Sequence, residues 1–130
     1  MTHDRVDITA WAQRVIGEHV DAASAAITAF CEKPRSVKRL HGTRKRLARL
    51  RAALEDLAVL AGVAGTFSQR IRRVHKRAGK VRDADVLLER VETYCEDASG
   101  EEHEQLEILR KHLRKRAKRM RKKLAEEIKR

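Results

Sequence analysis

The chain has 130 residues, a net charge of +12 and 42% hydrophobic residues. That length suits a single modest core, and the apolar content is too high for a disordered tail. No N-terminal apolar run resembles a signal peptide and no segment approaches membrane-spanning length, so a cytoplasmic protein with no membrane partner is expected.

The abundance of Ala, Leu, Arg, Lys and Glu, with a single proline, favours helix throughout. A first helix is predicted from about Ile8 to Glu32. Asp7 is its cap, and Trp11, Val15, Val20, Ala23, Ile27 and Phe30 form its inner side. Cys31 and Cys95 are too few and too far apart for a disulfide framework or a zinc site, which points to reduced thiols and no metal.

A second helix is predicted over 34–61, with Pro34 in its first turn. Val37, Leu40, Leu47, Leu50, Leu54, Leu57 and Ala61 form its apolar stripe, and Gly62 stops it. Thr66 caps a third helix over 66–97, with Gln69 placed for a capping box. Its seam is Phe67, Ile71, Val74, Ala78, Val81, Leu88 and Val91, interrupted by Asp85. Ser99 with Glu102 repeats the capping-box pattern and opens a fourth helix over 100–129. Leu106, Leu109, Leu113, Met120, Leu124 and Ile128 recur there at helical spacing. Four long amphipathic helices joined by short links predict an all-α fold, an antiparallel four-helix bundle forming one domain over 1–130.

The charge is unevenly placed. Counting Lys plus Arg against Asp plus Glu, residues 34–82 hold 15 and 2, whereas residues 83–100 hold 1 and 6. From Arg35 to Arg51 there is no carboxylate at all, so the four-residue pairing of an ordinary exposed helix is missing. A concentrated cationic block points to a polyanion, and arginine's planar fork suits phosphate. On the second helix the candidates are His41, Arg44, Lys45, Arg49 and Arg51. On the third they are Arg72, Arg73, Lys76, Lys80 and Arg82.

His41 has no partners at metal-ligand spacing, and His75, His103 and His112 supply none. A histidine among cations is expected neutral, as a hydrogen-bond partner for phosphate. Asp85 points inward along its seam and needs a cationic partner. Arg44 or His41 of the neighbouring helix is expected to supply it, which would orient the basic side chains. Gly42 and Gly79 lie inside helices, where glycine is tolerated or makes room for a close approach. The fourth helix carries ten cations between Arg110 and Lys123. They surround it rather than form a stripe, as a part-solvated, part-auxiliary polyanion surface.

His41, Arg44, Lys45, Arg49 and Arg51 resemble the signature of the CHAD family, the conserved histidine α-helical domain. The chain departs from that pattern at Ala48, where the family usually places a cation. Gly79, Arg82, Asp83, Asp85, Val86, Leu87 and Leu88 are similar to the family's second signature. The resemblance implies binding of inorganic polyphosphate, often linked to polyphosphate granules, on a basic helical surface. It also implies two bundles where this chain supplies one, hence a homodimer. Neither catalytic residues nor a cofactor is expected. Nucleic acid is the competing ligand, but the basic block of the second helix has no aromatic residue for stacking. Phosphoanhydride hydrolysis is disfavoured because the basic face has almost no carboxylates to hold a metal.

Overall fold

The computed structural model describes residues 7–129. It contains four helices, α1 (Ile8–Glu32), α2 (Val37–Ala61), α3 (Gly65–Asp97) and α4 (Gly100–Ile128), and no strand among the described residues. They pack as a four-helix bundle in which α2 lies between α1 and α3, and α4 lies against α3.

Two of the expected helix ends form as read. Asp7 accepts a hydrogen bond from Ala10 N at 3.1 Å, satisfying one of the amides that a helix start leaves unpaired. Gly62 ends α2 with φ +71°, a left-handed conformation that glycine adopts without steric cost. Val63 N then donates to Ala58 O at 2.9 Å, closing a Schellman turn. Val63 also packs on the core beside Ala58.

Three ends differ. Pro34 sits in a turn rather than in α2, and Ser36 is the cap, accepting from Arg39 N at 3.2 Å. A serine side chain can accept that amide proton, which proline has no group to do. Helix α3 starts at Gly65 with Ala64 as its cap, so Thr66 lies inside the helix and the box with Gln69 does not form. The Schellman turn leaves only Val63 and Ala64 before the chain re-enters helix. Ser99 does occupy the cap of α4, but its side chain makes no cap bond. Gly100 follows with φ +64°. The junction is held instead by His103, whose Nδ1 donates to Cys95 O at 3.0 Å.

The helices are staggered, and the core changes partners along its length. In the middle all four contribute: Phe30 from α1, Leu40 and Leu47 from α2, Val74, Ala78 and Val81 from α3, Leu124 and Ala125 from α4. Toward the α2–α3 turn only three meet, through Ala12, Ile16, Leu50, Leu54 and Phe67. At the α3–α4 turn the two helices pack alone, through Val91, Cys95, Leu106 and Leu113. Trp11, expected inward, is 41% exposed because α4 does not reach the three-helix end. Val37 and Leu109 are exposed as well.

Asp85 is buried, as its seam position requires, but its partner is Arg121 of α4 rather than Arg44 or His41. Arg121 also donates to Pro34 O at 2.6 Å. The pair therefore ties α3 and α4 to the α1–α2 turn and does not orient the basic face. On α2, Thr43 is completely buried and donates to Ala26 O at 3.1 Å. That bond fixes which face of α2 meets α1, and thereby which face is left for α3.

Candidate functional site

Because α2 buries Thr43 against α1 and Leu47 in the core, the flank carrying Arg44 and Arg51 turns toward α3. These two arginines, seven residues apart and so nearly in line, form one wall of a solvent-open trough of about 590 Å³. Arg72, Arg73, His75, Lys76 and Gly79 of α3 complete the lining. Five cations converge there and no carboxylate is among the lining residues. Arg51 is drawn toward Glu55, with Nε 3.2 Å from the carboxylate. None of the ion pairs among the described residues engages Arg44, Arg72, Arg73 or Lys76.

The other sequence candidates lie elsewhere. At about 100° per residue, His41, Lys45 and Arg49 stand about 60°, 100° and 140° around α2 from Arg44. All three are exposed and none lines the trough. Lys80 lines a separate groove between α3 and α4, with Arg77, Met120 and Lys123. Arg77 there is paired with Glu127 at 2.6 Å. Arg82 reaches along α3 to Glu89, 3.6 Å away.

The sequence reading missed His75 as a member of the site. Burial, and then the charges of Arg51 and Arg44, hold its pKa below the usual histidine value. The ring is therefore neutral at neutral pH. Its Nδ1 is buried without a hydrogen-bond partner, and so is Arg44 Nε. Buried polar atoms are normally satisfied, so these two stand out in the trough wall. A lone histidine in a sequence gives no such signal; only the approach of α2 to α3 creates it.

Gly79 forms part of the trough lining. A Cβ built there meets nothing within 4 Å, so no neighbour forces the glycine on this helix. Its missing side chain keeps the trough open. Gly42 is equally free of close contacts and does not line the trough, so there tolerance is the better account.

Such a trough can bind multiply charged, oxygen-rich anions through arginine forks and one neutral imidazole. It has no Trp, Tyr or Phe against which bases would stack. Among the described residues no cluster of three or more His, Cys, Asp or Glu is placed to hold a metal ion. No described helix is long and apolar enough to cross a membrane.

The fold and the trough define a class: a small helical bundle with a basic inter-helix surface. The CHAD domain family model matches residues 14–130, nearly the whole chain, and the chain belongs to that family. No curated protein and no solved structure is found to match it.

Proposed function

We propose that the chain is a non-enzymatic binding module for inorganic polyphosphate, acting in the cytoplasm and at polyphosphate granules. The observation that carries this reading is the convergence of Arg44, Arg51, Arg72, Arg73 and Lys76 from two helices on one trough whose lining has no carboxylate. Like charges held this close repel one another, and a polyanion lying among them removes that repulsion. Membership of the CHAD family supports phosphate polymers as the ligand.

The hydrogen-bonding role expected of His41 suits His75 better, because His75 lies among the trough cations while His41 is on an exposed face. Lys45 and Arg49 serve as a secondary electrostatic surface that steers the ligand. Catalysis is not part of the proposal, since the lining offers no carboxylate to hold a divalent cation. We also propose that two copies pair, giving the two-bundle arrangement that the family resemblance implies. Light scattering at micromolar concentration, with and without polyphosphate, tests this, and a monomer in both conditions rejects it.

Competition decides the ligand. Long-chain polyphosphate labelled at its end is bound to the protein, then challenged with duplex DNA, RNA or unlabelled polyphosphate at equal phosphate concentration. Displacement by polyphosphate alone is the expected result. Equal displacement by either nucleic acid would replace polyphosphate with nucleic acid as the ligand class.

A further inference from the structure

Leu87, Tyr94, Ile108 and Leu109 are exposed by 43%, 61%, 71% and 42%, although all four are large and hydrophobic. They cluster where α3 and α4 run on as a hairpin without α1 and α2. An exposed apolar cluster of this kind marks a contact surface more often than chance. Lys80 and Lys123 line the α3–α4 groove together, so they stand on one side of that hairpin. Seven-residue steps lead from Lys80 to Leu87 and Tyr94 on α3, and from Lys123 to Arg116, Leu109 and Glu102 on α4. Each step turns the helix by only about 20°, so both lines keep to that side. Seven-residue lines on neighbouring helices are the pattern by which helices present a seam to further helices.

The order of residues along this strip selects the partner. Measured from the turn at Ala98 and Ser99 at 1.5 Å per residue, Glu102 lies about 5 Å out, Leu109 and Leu87 about 16–17 Å, and Arg116 and Lys80 about 26–28 Å. The strip therefore runs acid, apolar, cation, and its complement is the same strip turned end for end. We propose that this side of the α3–α4 hairpin is a docking surface for a second copy of the chain, with a two-fold axis at the level of Leu87 and Leu109. The leucines of both copies meet at the axis and leave water. Glu102 of each copy then lies level with Arg116 and Lys80 of the other, so one surface supplies both halves of the charge match. None of the ion pairs among the described residues uses Glu102, Arg116 or Lys80, which leaves these charges open to a partner. The proposal rests on the pairing of two copies proposed above, and adds the surface and the antiparallel register through which they meet.

The test is sedimentation equilibrium over a concentration series, with and without polyphosphate. The proteins are the wild type, Leu87→Gln/Leu109→Gln, Glu102→Lys, Arg116→Glu and the combined Glu102→Lys/Arg116→Glu, each first shown to be helical by circular dichroism. Loss of the leucine pair is expected to weaken the dimer at least about tenfold, as for residues at the centre of an interface. Each single charge reversal sets like charges against each other across the axis and should also weaken it about tenfold. Combining the two reversals restores the match between copies and should recover most of the wild-type affinity. Within one chain Glu102 and Arg116 are about 21 Å apart along α4, so they cannot pair there and the recovery reports contact between copies. A leucine variant that dimerises as tightly as the wild type overturns this surface, and a combined variant no tighter than the single reversals overturns the antiparallel register. Either result leaves pairing itself standing. A wild type that stays monomeric at micromolar concentration in both conditions rejects the pairing, and this interface with it.

Discussion

Removing either partner of the Asp85–Arg121 pair should be the most damaging single change available outside the apolar core. Their side chains are 8% and 7% exposed, so neither charge is solvated if the other is lost. Breaking a buried pair from one side costs about 3–5 kcal/mol. A domain of this size has only about 5–15 kcal/mol of stability in all. Asp85→Ala leaves the guanidinium with Pro34 O as its remaining hydrogen-bond partner among the described residues. Arg121→Met leaves a buried carboxylate and also removes the donor to Pro34 O. The double variant Asp85→Leu/Arg121→Met removes both charges, and its remaining deficit is the unsatisfied Pro34 carbonyl, about 1–3 kcal/mol. Urea denaturation followed by circular dichroism should therefore show each single variant losing about 3–5 kcal/mol and the double variant losing less than either. Polyphosphate affinity of the double variant should match that of the wild type, because neither residue lines the trough. A single-variant loss below about 1 kcal/mol, or a double variant as damaged as the sum of the singles, would refute a desolvated, mutually dependent pair.

Other consequences are open to equally direct checks. Gly79→Ala should raise stability by about 0.5–1 kcal/mol, since the Cβ meets no neighbour and alanine is the better helix former; thermal melts measure it. Gly79→Leu should fold but bind polyphosphate more weakly, by filling the trough. Ser36→Ala should cost about 1 kcal/mol in chemical denaturation through loss of the cap on α2. His75 has a lowered pKa in the free protein, and bound phosphate would raise it, so binding takes up a proton. Affinity should accordingly be level at alkaline pH and rise as pH falls toward the depressed free-state value. His75→Gln should flatten that part of the profile, and an unchanged profile would remove His75 from the site. The same depression makes the free protein lose stability as pH falls below the ordinary histidine value, since the unfolded chain accepts a proton that the folded one resists. His75→Gln should reduce this acid sensitivity in melts taken over the same pH range.

The parts of the fold that were legible in the sequence are those fixed by local periodicity. Leu40, Leu47, Leu50 and Leu54 recur at helical spacing and are all buried, and Gly62 stops α2 where a left-handed residue is needed. Trp11 shows where that logic ends. Its spacing marks a face, but whether a fourth helix covers that face depends on how far α4 runs, which is a tertiary matter. Likewise the charge of α2 was evident, yet only Arg44 and Arg51 enter the trough while Arg49 points away. The difference is set by Thr43 docking on α1, a contact between residues 17 apart in the chain. Arg121 was hidden for another reason: it is one of ten cations on α4, and only the inward carboxylate of Asp85 distinguishes it.

Convergence of charge, as opposed to its total, is the decisive property, and two variants of equal net charge separate them. Arg44→Gln/Arg72→Gln removes two cations from inside the trough, and Lys45→Gln/Arg49→Gln removes two from outside it. Polyphosphate binding isotherms for both, taken over a series of salt concentrations, should show a large loss of affinity and a shallower salt dependence for the first pair, and a small loss for the second. Equal losses in the two proteins would mean that overall basicity binds the anion and that the trough between α2 and α3 is not a site.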